Sequence, residues 1–312
     1  MRDQARTLFS RQTLDRTINA LLPLTAVLGA LLLGAILLYF QNVNPTEAYG
    51  AMFSGAFANK NGLADTLVKA IPLLLVGLGI VIAYRGGVIN IGAEGQLIVG
   101  ALLTTWIGIT FGESWPVWLS IIVGLTAGAL MGGLWGTIPG YLKAKLNVNE
   151  ILSTIMLNQV AIQIGYYLLR GPMLDPAQRE AGTDIPQSAR IPRAIDLPRM
   201  TDVAGWFGFT ESASDLGLEG FRAEIYGLLV EPTRLHTGLF IALFMALIVY
   251  IFMWRTTIGY RIRAVGQNPA AARYAGINVS LYTVLSMGLS GALAGLAGAV
   301  EILGLHHRMF EP

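Results

Sequence analysis

The chain has 312 residues, of which only 13% are charged and 54% hydrophobic, against about 25% charged in an ordinary soluble domain. A soluble fold of this size has too little interior for so much apolar surface, whereas 37 glycines suit transmembrane helices, where small residues let backbones approach. The absence of cysteine excludes disulfides and thiolate chemistry, and a net charge of +2 gives no support to a nucleic-acid partner.

The predicted architecture is all-α, a polytopic integral membrane helical bundle of about seven spans. Seven stretches lack any charged residue: those between Arg16 and Glu47, Lys69 and Arg85, Glu94 and Glu113, Glu113 and Lys143, Glu150 and Arg170, Arg234 and Arg255, and Arg273 and Glu301. They hold 30, 15, 18, 29, 19, 20 and 27 residues, and a span needs roughly 20.

Residues 1–17 read as an N-terminal cytoplasmic tail, and Ile18 to Phe40 as a retained helix, since the run exceeds a signal-peptide core and lacks a small-residue cleavage pattern. Spans one to five fill 18–169. The second and third stretches are short for full spans and flank a broken or re-entrant helix near 85–96, Arg85-Gly86-Gly87-Val88-Ile89-Asn90-Ile91-Gly92-Ala93-Glu94-Gly95-Gln96. Lipid penalises such polar side chains, and irregular backbone at membrane depth needs protein or water beside it. Asn90, Glu94 and Gln96 are therefore candidates for the lining of a polar path; the alternative is a solvated cytoplasmic connector.

Next comes Asn147-Val148-Asn149-Glu150, where an asparagine can cap a helix whose first turn carries an acid. Capping leaves Asn158, Gln159 and Gln163 unexplained. A polar stripe in contact with substrate and hydrogen bonding between helices account for them equally. The proline-rich segment 170–235 reads as an extracytoplasmic loop or folded cap, with short helices at Trp206 to Phe209 and Phe221 to Leu229. Residues 236–305 hold spans six and seven around a basic cytoplasmic loop, 256–279. Within it Asn268 is placed to cap a short helix opened by Pro269 and ended by Gly276. Residues 306–312 form a short end.

With the N-terminus inside, the cytoplasmic side carries eleven basic and four acidic residues, leaving ten basic and fifteen acidic ones outside, balances of +7 and −5. The short loops alone obey the same rule. The three histidines, His236, His306 and His307, form no His-x-x-x-His or His-Glu pair, so no catalytic or metal site is expected. An ion-coupled carrier using Glu94 and Glu301 is the competing reading.

Gly87 to Gln96, Asn147 to Ile151 and Arg263-Ala264-Val265-Gly266-Gln267-Asn268-Pro269-Ala270-Ala271-Ala272-Arg273-Tyr274-Ala275-Gly276-Ile277 together make the sequence recognisable. It resembles, over about residues 65 to 305, the permease subunits of bacterial ABC importers in the branched-chain amino acid and ribose permease superfamily, and is most similar to the nucleoside (simple sugar) branch. The resemblance implies a multi-pass protein of the bacterial cytoplasmic (inner) membrane. It also implies a second permease subunit, expected as a heterodimer, a cytoplasmic ATP-binding subunit and an extracytoplasmic substrate-binding protein. Arg263, Gly266, Asn268, Pro269, Ala272, Arg273, Ala275 and Gly276 would couple to the ATPase. No cofactor is expected on this chain and ATP would be used by the partner, because the phosphate-binding Gly-x-x-x-x-Gly-Lys-Ser/Thr pattern is missing. The path, with Asn90, Glu94, Gln96, Asn158 and Gln159 on it, would carry a nucleoside, with a sugar or branched-chain amino acid as alternatives. Members of the family usually continue into further helices beyond the position matching Glu301, so the chain is expected to be short at its C-terminus.

Overall fold

The computed structural model describes the backbone of residues 2–180, 182 and 185–311, and the side chains of those from residue 21 onward. The arginines expected to fix the tail inside, Arg2, Arg6, Arg11 and Arg16, have side chains outside the described residues. All regular elements among the described residues are helical, and seven helices are long and apolar enough to cross a membrane. The chain divides into two units, Met1–Asn59 and Lys60–Pro312.

In the first unit, α1 (Arg2–Phe40) runs unbroken through the stretch read as a tail. From Leu21 to Phe40 it is a candidate span with outward leucines. A second helix, α2 (Pro45–Phe57), follows it unexpectedly. Asn44 opens α2: its Oδ1 accepts from the Thr46 N–H at 3.1 Å, and its amide donates to Glu47 at 3.0 Å. The Tyr49 hydroxyl donates back to the Leu31 carbonyl at 2.6 Å, fastening α2 to α1.

The second unit is built from α3 (Lys60–Arg85), α4 (Ala93–Phe111), α5 (Val117–Leu146), α6 (Glu150–Arg170), α7 (Pro176–Glu180), α8 (Met200–Trp206), α9 (Gly220–Val230), α10 (Gly238–Arg255), α11 (Thr257–Gln267), α12 (Pro269–Tyr274) and α13 (Val279–Glu301). A π turn, Ile302–His306, prolongs α13. The second charge-free stretch proves to be part of a 26-residue helix. Asp65 and Lys69 lie within the outer turns of α3, where Lys69 is exposed and a long side chain can reach the interface.

Helix α13 is the buried centre, packed on α3, α4 and α5. The reason lies in spacing. Gly124, Gly128, Gly132, Gly136 and Gly140 recur every four residues and are all buried on one face of α5, and Gly288, Gly291, Gly295 and Gly298 line α13. A Cβ on Gly132 would lie 2.6 Å from the Gly295 Cα, and one on Gly136 2.6 Å from the Met287 carbonyl oxygen. The two backbones are thus in direct contact, the arrangement that favours helix association where lipid removes the hydrophobic drive.

The described residues of 171–237 form a folded layer. Ile191, Ile195 and Leu197 are buried with Leu169, Ile302 and Leu303, and the layer is stitched to the chain's end by the bonds Ser188 N–H to Met309 O (2.9 Å), Ile191 N–H to His307 O (2.9 Å) and Leu197 N–H to Leu303 O (2.7 Å). Lys60 pairs with Glu231, which holds the end of α9 against the start of α3. Helix α9 coincides with its predicted position within a residue at each end, whereas Trp206 closes α8 rather than opening it. The helix preceding Trp206 is set by Asp202, whose carboxylate accepts from the Arg199 N–H at 2.8 Å.

Candidate functional site

The break between α3 and α4 begins where Gly86 and Val88 donate to the Ala83 carbonyl. Gly87 takes φ +76°, a conformation that side chains resist. An extended run follows, with Val88 and Asn90 inward and Ile89 and Ile91 outward, as period-two backbone requires. Asn90, only 4% exposed, donates to Gln96 Oε1 at 2.8 Å and to Ser290 Oγ at 2.8 Å. Its own oxygen accepts from the Gly92 N–H at 2.9 Å and from Gln96 at 3.1 Å. Asn158 completes the group, accepting from the Gly95 N–H at 2.9 Å and donating to the Ile91 carbonyl at 3.1 Å. The amides of Asn90, Gln96 and Asn158 all find partners, as low dielectric demands.

The five residues read as a path therefore separate. Asn90 bonds to Gln96 and to Ser290, which the sequence reading missed, and Asn158 joins them through the backbone of Ile91 and Gly95, while Glu94 and Gln159 are exposed. Consecutive positions on α6 point about 100° apart, so Asn158 turns to α4 and Gln159 turns outward. There Gln159, Gln163 and Tyr167 share a face with Met156 and Val160. Of the two acids in the competing reading, Glu94 is in the first turn of α4, while Glu301 ends α13, beside His306 at 3.4 Å.

At the end of the bundle where α3 finishes, α10 turns into α11. The Thr256 hydroxyl caps this turn by accepting from the Gly259 N–H at 3.1 Å. The guanidinium groups of Arg85 and Arg263 both lie over the Trp254 ring, at 5.6 and 5.7 Å, and Arg261 donates to the Tyr282 hydroxyl at 2.8 Å. The loop read at 256–279 thus contains a full helix before α12. Asn268 caps α12 by accepting from the Ala270 and Ala271 N–H groups, both at 3.0 Å, Pro269 opens it, and Gly276 follows at φ +79°. Asn268, Pro269, Arg273, Ala275 and Gly276 are exposed, whereas Ala272 is 4% exposed and faces the body of the chain. Gly266 also faces inward, lying against Arg85 and Gly87. Tyr274 is 97% exposed; sequence reasoning quoted it only as part of a motif, gave it no role, and did not name Trp254.

Among the described residues no group of three or more His, Asp or Glu could hold a metal ion. His307 Nδ1 lies 3.0 Å from Asp196 Oδ1. His236, 2% exposed, accepts from the Gly238 N–H at 3.1 Å through Nδ1, which requires a neutral ring. Burial pushes its pKa from 6.5 down to about 4. Between those values the unfolded chain takes up a proton that the folded chain does not, so stability falls as pH drops through this window, by up to about 3 kcal/mol. Thermal unfolding in detergent between pH 7 and pH 4 is expected to show this loss, and His236→Gln to remove it; an unchanged pH dependence in the variant would place the loss elsewhere.

Over residues 62–311 the chain matches the family model described as "Branched-chain amino acid transport system / permease component". It is 36% identical to the glucose ABC transporter permease protein TsgB13 of Haloferax volcanii, over 94% of this chain and 71% of the relative. It is 33% identical to the guanosine ABC transporter permease protein NupP of Bacillus subtilis, covering 93% and 73%. With the nucleoside ABC transporter permease protein NupB of Lactococcus lactis subsp. cremoris the identity is 31%, over 93% and 72%. No solved structure matches.

Proposed function

Because the chain belongs to the branched-chain amino acid transport system permease family, we propose that it is the membrane-spanning permease of an ATP-driven importer of nucleosides. The observation that carries the reading is similarity along nearly the whole chain to permeases named for guanosine and nucleosides. In this reading a separate cytoplasmic subunit uses the ATP, α12 docks on that subunit, and a second permease completes the path. The layer 171–237 lies outside the cytoplasmic membrane and receives a substrate-binding protein, and the N-terminus is cytoplasmic.

The exposed face of α6 supports the path and its cargo. Two amides at i and i+4 on the outside of a membrane helix are costly against lipid, so such a face belongs against protein or water. Gln159, Gln163 and Tyr167 offer what a nucleoside needs: donors and acceptors for sugar hydroxyls and base edge, and a ring on which the base stacks. The path is therefore assigned to Gln159 and Gln163, with Asn90, Gln96 and Asn158 shaping it from behind.

The test is uptake by proteoliposomes holding the permease with its ATPase, partner permease and binding protein. ATP-dependent accumulation of labelled guanosine or uridine is the expected result. Uptake driven by an ion gradient without the ATPase would overturn the reading, and uptake of glucose in preference to nucleosides would overturn the substrate. In the cysteine-free chain, Gln159→Cys is expected to react with a water-soluble thiol reagent and to be protected by nucleoside, while Asn158→Cys stays unreactive. Equal reactivity of the two would remove the α6 face from the path.

A further inference from the structure

The two motifs that sequence reading kept apart touch each other. A Cβ on Gly87, in the break, would meet the Gly266 Cα at 2.9 Å, and one on Gly266, in the last turn of α11, would meet the Gly87 nitrogen at 2.7 Å and run into the Arg85 carbonyl. The break and the segment leading to α12 are thus in backbone contact, and neither can shift far toward the other without displacing it. Arg85 and Arg263 share the Trp254 ring beside this contact. Beyond it, Asn90 ties the break to Gln96 of α4 and Ser290 of α13. Asn158 ties it to α6 through the Ile91 carbonyl and the Gly95 N–H. Asn158 immediately precedes the outward Gln159.

From this contiguity we infer that segment 86–92 is the element that transmits displacement of α12 to the face of α6, with Asn90 as the positioning residue that makes it move as one piece with α4 and α13. The inference rests on the importer reading and adds to it a route. Movement of α12 is carried by α11 to Gly266, pushes the break at Gly87, and reaches α6 through Asn158. The hydrogen bonds of Asn90 hold the irregular backbone rigid, so that a push at one end appears at the other. Without them the break would deform locally and absorb it. Contiguity supplies the path of contacts; the second state that such coupling requires is a nucleotide-dependent change in the break itself, which the experiment below measures.

The experiment uses the assembled importer in proteoliposomes, with the permease perturbed from either side of the contact. Asn90→Ala removes the hub, and Gly266→Ala leaves the hub intact but forces α11 away from Arg85 and the break. Both are expected to lower nucleoside transported per ATP hydrolysed by roughly tenfold, within the range of coupling energies between linked sites. A purely structural role would reduce the amount of assembled complex and leave that ratio unchanged, which would overturn the inference. The second measurement needs no buried substitution. Ile91→Cys, on the outward side of the break, is expected to react with a thiol reagent at rates differing about fivefold between ATP-bound and nucleotide-free importer. That difference should vanish when Gly266→Ala is added. A transporting complex whose Ile91→Cys labelling ignores nucleotide would overturn the transmission element alone; failure of the unsubstituted complex to transport with ATP would overturn the importer reading beneath it.

Discussion

Gly132→Leu is expected to abolish the native packing of the bundle, whereas Gly77→Leu leaves it intact. At Gly132 the first added carbon meets the Gly295 Cα at 2.6 Å and its nitrogen at 2.7 Å, besides the Gly291 carbonyl. These are backbone atoms in the middle of α13, with no rotamer to yield, so α5 and α13 must separate. Separation also opens the neighbouring contacts at Gly128, Gly136 and Gly140, because one rigid helix carries all of them. Overpacking of an ordinary core costs about 1–3 kcal/mol; here the effect is expected at or beyond the upper end of that range, a large share of the stability of a typical domain. At Gly77, on α3, a Cβ meets nothing within 4 Å, and a change there is expected to stay within about 0.5 kcal/mol. The check is the monodisperse fraction and unfolding temperature after extraction in mild detergent. Equal behaviour of the two variants would mean that α5 and α13 are not packed through their glycines.

Why some of this was legible in the sequence and some was not follows from distance along the chain. Charge-free gaps register composition, and they located six spans well. They located α3 but cut it short, because Asp65 and Lys69 sit inside a helix that charge spacing alone treats as ended. They also passed over α2, whose Glu47 closes the first gap. Local capping reads directly, since Asn268, Pro269 and Gly276 act within a few residues of one another. The five glycines of α5 stand in a four-residue repeat that the count of glycines conceals and the sequence reading passed over. The meeting of Asn90 with Ser290 spans 200 positions and depends on which way two helices face. So does the contact of Gly87 with Gly266. Among the polar residues of α6, sequence showed a stripe, while only packing could divide it into an inward Asn158 and an outward Gln159.

Arg273→Glu is expected to cut ATP-driven uptake by about a hundredfold while leaving insertion and fold unchanged. Its side chain is exposed in the last turn of α12, so the substitution removes no internal support and should alter stability by no more than about 0.5 kcal/mol. In the importer reading, what changes is the surface proposed to meet the ATPase: a cation beside the exposed ring of Tyr274 becomes an anion at a helix C-terminus, where the dipole already disfavours it. Like-charge juxtaposition at an interface costs several kcal/mol, and about 2.7 kcal/mol suffices for a hundredfold loss. Gly276→Val should give a similar loss by another route. Its φ of +79° is one that a β-branched residue resists, so the turn that fixes the angle between α12 and α13 must rearrange even though a Cβ there meets nothing. Ala272→Gly, beneath the helix, removes one methyl from the inward side and should be milder than either. Uptake, together with co-purification of the ATPase subunit, distinguishes these outcomes: Arg273→Glu loses the partner, and Gly276→Val retains it with poor transfer of movement. Undiminished uptake in both variants would mean that α12 is not the docking element.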